Sequence, residues 1–390
     1  MLLDTEIDIF VASRIGSFKH IKYHTDPTKN NKKCIENLVD IKTLQKDDAI
    51  TCMEWGNEDQ TEILLSRKNL EIQSFNTELT SLNKTYVADF GTGIVVGLGR
   101  YRKRLLAAMS SGVVKIWSKK AEQIIDTGGK LDCMRLCEDD CTMFATGGEE
   151  NDVKVWSVGA AAPQFSAKNL AHDWLQLRRP VWVGGVCFAR GAGGALLAAC
   201  SRHGYVRLYD TRAQRRPVCN VDTNGMAATC IAPSFEDRQF LVGFGRGQLH
   251  QLDLRAGRLD KGYKDCVGSV TGVVAVTSGD QRLVVSASLD RHLRVHRHGT
   301  KELLYKKYLT SKLASLLVQD KRVTAMKQEF EENEIKEENL EGVAEEGDQK
   351  EPKDELDELF EGMETVVDEP KKKKRRRIPP ELAEKLQAHR

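Results

Sequence analysis

The sequence predicts an all-β fold, a seven-bladed β-propeller over residues 1–320, followed by a disordered acidic and basic C-terminal tail. Three observations carry this prediction. A hairpin-like segment recurs seven times, a short apolar run precedes most copies, and the composition changes abruptly after Asp320.

Each copy reads as a small or apolar triplet, a polar or glycine turn, and then alternating apolar and basic positions. The clear copies are AAMSSGVVKIW (107–117), FATGGEENDVKVW (144–156), AACSRHGYVRLYD (198–210), VGFGRGQLHQLD (242–253) and SASLDRHLRVH (286–296). Weaker ones are ILLSRKNLEIQSF (63–75) and FVASRIGSFKHI (10–21). Period-two alternation specifies the strands, and Ser, Gly, Asn or Asp supplies the turn. The anchors Phe18, Leu70, Val114, Val153, Val206, Leu249 and Leu293 recur at about 46 residues, near the period of roughly 40–45 expected of a WD repeat.

The apolar runs ITCMEW (50–55), GIVVGLG (93–99), LDCMRLC (131–137), GGVCFA (184–189), ATCIAP (228–233) and VTGVVAV (270–276) read as inner strands of blades two to seven. The first copy has no such run ahead of it. ELLYKKYL (302–309) completes the last blade, so LASLLV (313–318) is expected to return as the missing inner strand and close the ring. Closure removes exposed sheet edges. A β-sandwich also consists of evenly spaced short strands, but it explains neither the single period nor the closing strand.

The chain has 390 residues, of which 40% are hydrophobic, enough for a large soluble core. No run of about eighteen apolar residues is present to make a membrane-spanning helix. Met1–Ser13 contains Asp4, Glu6 and Asp8 and lacks the basic flank and apolar run of a secretory signal. The expectation is an intracellular chain whose ten cysteines are reduced and mostly buried. The formal net charge of +2 conceals three blocks: +11 over residues 1–328, −16 over Glu329–Glu369, and +7 over Lys371–Arg390. A basic body suits an anionic partner.

Residues 321–370 are rich in Glu and too poor in apolar residues to offset their ordering entropy, which predicts disorder. Within them DELDELFEGMETV (354–366) has the pattern of a short acidic amphipathic helix on a partner. Residues 371–390 form a basic tail, and the run Lys371, Lys372, Lys373, Lys374, Arg375, Arg376 and Arg377 reads as a nuclear targeting signal or an RNA-contacting segment. Pro379–Pro380 then marks a helix start.

A search for chemistry finds little. GTGIVVGLG is not followed by GK[ST] and sits where the repeat demands an inner strand. Cys133, Cys137 and Cys141 are four apart, and on a strand that spacing is about 13 Å, too far to share an ion. His292, His296 and His298 share parity with Arg294 and read as a solvated or blade-contacting face. No nucleophile triad or persuasive acidic pair is evident. The expected protein is therefore not an enzyme and uses no metal or cofactor.

Departures from the period are more informative. KNLAHDWLQLRRPVW (168–182) lengthens the interval between blades four and five. Here Asp173 is expected to cap or turn the loop, Trp174 and Trp182 to anchor it, and Arg178 and Arg179 to face phosphate or a partner carboxylate. The plain structural alternative packs Trp174, Leu175 and Trp182 between blades, with the arginines merely solvated. A second basic set, Arg212, Arg215 and Arg216, lies in TRAQRRPV, read as a blade-connecting segment. Arg100, Arg102, Lys103 and Arg104 form a third. With the basic body these sets favour an RNA or RNA–protein surface, and the sparse aromatics argue against base stacking.

KNLAHDWLQLRRPVW, QRRPV (214–218), GQLHQLDLRAGR (247–258), GSVTG (268–272) and SLDRHLRVH (288–296) together resemble the WD repeat-containing protein 74 family. The likeness is strongest over 140–310. The general repeat pattern is weaker, since only Asp290 occupies the usual turn aspartate and Trp-Ser replaces Trp-Asp at 117–118 and 156–157. The resemblance implies a nucleolar assembly factor in large (60S) ribosomal subunit biogenesis and pre-rRNA processing. Its implied partners are proteins and ribosomal RNA of the precursor particle, a nuclear AAA ATPase that removes it, and an exosome-associated RNA helicase, with no membrane. The competing class is a peptide- or substrate-recruiting adaptor of a ubiquitin ligase or chromatin complex, which would bind peptides in the central funnel. An enzyme built on a propeller would need a pocket of convergent carboxylates or a metal.

Overall fold

All seven repeat copies become the second and third strands of four-stranded antiparallel sheets in the computed structural model, which describes residues 6–118, 122–172 and 174–319. Blade five shows how the sequence dictates the unit. Its strands are Val183–Phe188, Leu196–Ser201, Tyr205–Asp210 and Cys219–Asp222, hydrogen-bonded in that order. Leu197 pairs with Tyr209 and Ala199 with Arg207. The hairpin turn between them ends at Gly204, whose φ is +84° and where a Cβ would lie 2.7 Å from Gly225. Only glycine fits that turn without strain.

The apolar runs form the expected inner strands, among them Ile50–Trp55, Val95–Tyr101, Cys133–Leu136, Ala228–Pro233 and Val270–Ser278. In five blades the register against the second strand slips just after the first inner residue, for example between Val95 and Gly97 and between Val270 and Gly272. Such bulges raise local twist. At Gly97 a Cβ would fall 2.5 Å from the Cβ of Met134 on the next blade, so glycine permits the close approach there.

Hydrophobic residues form seven clusters, one between each pair of neighbouring blades. The alternating strands therefore bury both faces. The closing strand, Leu313–Gln319, pairs antiparallel with Glu6–Ser13, with Ile9 opposite Val318 and Val11 opposite Leu316. Leu316 and Val318 pack in the cluster shared with blade seven, and Leu317 in the cluster shared with blade two. Blade one is thus completed by the two ends of the described chain.

Leu70, TRAQRRPV and the cysteines differ from the expectation. Leu70 precedes its strand, Glu71–Asn76, and occupies the turn at φ +68°, because the Asn69 side chain accepts the Glu71 amide and starts the strand one residue later. TRAQRRPV does not connect blades. It joins the third and fourth strands within blade five, since the four-residue strand Cys219–Asp222 is too short to signal itself. Of the two readings of the face shared by Arg294 and His296, the blade-contacting one holds, since both are fully buried. All ten cysteines are free, but four are buried and six only partly so. The acidic segment and the basic tail, Lys371–Arg377 included, lie outside the described residues.

Candidate functional site

The loop from blade four to blade five leaves the outer strand Phe165–Ser166 and enters the inner strand Val183–Phe188. Its neck is held on both sides. Ala167 donates its amide to the Val153 carbonyl at 2.9 Å, and Glu150 to the Val181 carbonyl at 2.9 Å. The Asn169 side-chain amide donates to the Arg179 carbonyl at 2.7 Å, which closes the loop upon itself. Trp182 is the anchor that the sequence suggested: its indole N–H donates to the Asp132 carboxylate, and Arg202 lies over the ring 5.4 Å from the centroid. Arg202 also pairs with Asp132 at 3.6 Å.

Trp174 is not an anchor. The neck closes at Asn169 and Arg179, and beyond it Trp174 is 87% exposed. Leu175 and Leu177 are exposed beside it in sequence. This contradicts packing of Trp174 and Leu175 between blades. Surface indole and leucine side chains this open are typical of a surface that another molecule covers. Asp173 lies outside the described residues.

The four arginines divide. Arg178 pairs with Glu150 at 3.0 Å but stays 59% exposed, an interaction that solvent screens heavily. Arg179 is half-buried. Arg215 donates through Nε to the Ser166 carbonyl at 2.7 Å, and its own carbonyl accepts the Lys168 amide at 2.9 Å. The structure thereby ties the 211–218 turn of blade five to the base of the 167–182 loop. Arg216 is exposed. In the third basic set, Arg100 is committed to an ion pair with Glu62, while Arg102 lies over Tyr101 at 5.2 Å.

Burial dominates the titration shifts near the loop and on the inner strands. Burial raises the Asp152 carboxyl above its ordinary value, and Arg207 and Arg178 partly oppose that shift. Burial pushes the Cys52, Cys133 and Cys230 thiols up to about 12, which leaves them protonated and poor nucleophiles near neutrality. Cys133 ends up buried on its strand, while Cys141 follows in a turn. Among the described residues no group of three or more His, Cys, Asp or Glu is placed to hold a metal. An ion pair between Arg135 and Glu54 joins the inner strands of blades four and two past blade three.

No family model matches the chain. Over 323 residues it is 31% identical to WD repeat-containing protein 74 of Bos taurus, covering 79% of this chain and 83% of that protein. The chain belongs to the WD repeat-containing protein 74 family. The mouse member is 30% identical, with 80% of each protein covered. The ribosome biogenesis protein nsa1 of Schizosaccharomyces pombe is 24% identical over 95% of this chain and 99% of its own length. Among solved structures, a computationally designed protein, Ika8, superposes with a TM-score of 0.57 at 13% identity, covering 81% of this chain and 91% of that one. That likeness concerns the fold alone.

The DWL–RRPVW loop is built on partners that reading along the chain missed. Asp132, Glu150 and Arg202 hold its neck and its arginine, yet Asp132 comes from the connection between blades three and four, and Glu150 and Arg202 from hairpin turns. Ordinary turn residues give no signal of such a role. Asn169 was readable only as part of the motif.

Proposed function

We propose that this chain is a non-enzymatic scaffold in ribosome biogenesis, docking on precursors of the large ribosomal subunit. Membership of the WD repeat-containing protein 74 family carries the reading, because relatives aligned over much of this chain are named ribosome biogenesis proteins. In this reading the loop around Asp173 and Trp174, with Arg178, Arg179, Arg215 and Arg216, contacts the particle. The exposed indole supplies an apolar anchor, and the guanidinium groups meet phosphate or carboxylate. Residues 1–320 are the platform, 321–370 an acidic linker, and Lys371–Arg377 the signal that brings the chain to the nucleus and nucleolus. Release by a nuclear AAA ATPase and contact with an exosome-associated RNA helicase complete the proposal.

Charge reversal at Arg178, Arg179, Arg215 and Arg216 tests the docking surface. Co-sedimentation with precursor ribosomal particles should fall several-fold while the thermal midpoint moves little, since Arg178, Arg215 and Arg216 are exposed and only Arg179 is half-buried. Undiminished co-sedimentation removes this site assignment. Partner recovery insensitive to RNase, with peptides as the main ligands, would favour the adaptor reading instead.

A further inference from the structure

A cleft of about 450 Å³ opens between blades five and six. Four arginines line it: Arg190 from the turn after the inner strand of blade five, Arg212 from the 211–218 turn, and Arg238 and Arg255 from two turns of blade six. Asp237 is the one acidic residue in the lining. These positions are spread over 66 residues of sequence and meet only because blades five and six pack side by side.

The carboxylates nearest these guanidinium groups hold them loosely. Arg190 lies 3.6 Å from Glu138, Arg212 lies 3.9 Å from Asp210, and Arg255 lies 3.9 Å from Asp237. A charge-assisted hydrogen bond is shorter, about 2.7–2.9 Å. No ion pair engages the Arg238 side chain among the described residues, and all four arginines are exposed. Like charges crowded into one concavity lower the cost of bringing in an anion, because the anion relieves their mutual repulsion. The wall also admits close approach. At Gly191, in the lining, a Cβ would meet nothing within 4 Å.

We infer that this cleft binds the phosphodiester backbone of RNA. Guanidinium groups match phosphate oxygens with paired donors, and no aromatic side chain in the lining is available to stack a base. Recognition would therefore follow the backbone and not the sequence. A volume of this size accommodates a nucleotide-sized group. The inference deepens the ribosomal reading and takes its biological RNA from it, while the anion chemistry stands on the cleft itself. It shares the 211–218 turn with the Arg178–Arg216 surface, but Arg215 reaches toward blade four, whereas Arg212 lines the cleft toward blade six.

The test uses the full chain and a fluorescein-labelled, mixed-sequence 20-nucleotide RNA, with anisotropy read across a salt series. The double variant Arg238→Glu with Arg255→Glu should weaken binding about tenfold or more. It should also flatten the slope of log K against log salt by about 0.7 for each single-strand phosphate that the variant no longer neutralises. Arg102→Glu with Lys103→Glu, on blade three, is the control for a bulk charge effect. Weakening by the cleft variant no greater than by this control, or no RNA binding by the wild type at low salt, overturns the inference. So does displacement of the wild-type RNA by a poly-glutamate peptide at equal concentration, which would make an acidic peptide the ligand. Failure of the ribosomal reading looks different: purified protein would still bind RNA through the cleft, while no precursor particle co-sediments from cells.

Discussion

In the turn between the second and third strands of blade seven, Asp290 accepts hydrogen bonds from Arg294 at 3.1 and 2.5 Å and from the His292 amide at 3.0 Å. Ser288 donates to the same carboxylate. Arg294 is fully buried, and its Nε lies 3.5 Å from Asp265. Burial alone would raise the Asp290 carboxyl, but the hydrogen bonds from Arg294, Ser288 and His292 and the charge of Arg294 hold it well below its ordinary value of 3.8. A depressed folded-state value contributes stability above the unfolded value, and that contribution is lost as pH falls toward the folded one. Asp290→Ala strips a buried cation of its main partner and should cost about 3 kcal/mol or more in urea denaturation at pH 7. The gap between wild type and variant should narrow as the pH drops below 3.8. A gap of under about 0.5 kcal/mol at pH 7 would show that Asp265 suffices. Asp290 was legible in the sequence as the turn aspartate of its repeat, whereas the burial of Arg294 and His296 was not. Parity along a strand groups these side chains on one face, but a neighbouring blade decides whether that face is wet.

At the scale of the element, the decisive piece is the strand Leu313–Gln319. It pairs with Glu6–Ser13 from Asp8 to Ser13 and places Leu317 among Phe10, Phe18 and Ile63. A chain ending at Lys312 would leave the edge of Glu6–Ser13 unpaired, and unpaired edges recruit other strands. Light scattering after size exclusion should then show higher oligomers where the full chain runs as a smaller species. An unchanged mass would mean that the edge is protected some other way. The closing strand was readable because one blade lacked an inner run and one apolar run was left over. The fourth strands were harder, because pieces as short as Phe165–Ser166 and Arg258–Leu259 carry no periodicity. The loop over blades four and five was conspicuous as an insertion. The exposure of Trp174, beyond the hydrogen bond between Asn169 and the Arg179 carbonyl, was not.

Taken whole, the chain joins a body of +11 to a segment of −16 and a basic tip of +7. In the proposed reading the tip addresses the chain to the nucleus. Deleting Lys371–Arg377 from a fluorescently tagged chain should shift it toward the cytoplasm, and continued nuclear accumulation would count against that role. The sequence by itself determined the number of blades, the closing strand and the family, because each is written in local pattern: period two within strands, one spacing between copies, and one distinctive loop. Tertiary structure decided which basic residues are available. Arg100 is held by Glu62, whereas Arg190, Arg212, Arg238 and Arg255 converge on a single cleft. Charge acts through space between turns that different blades bring together, and no spacing along the chain encodes that distance.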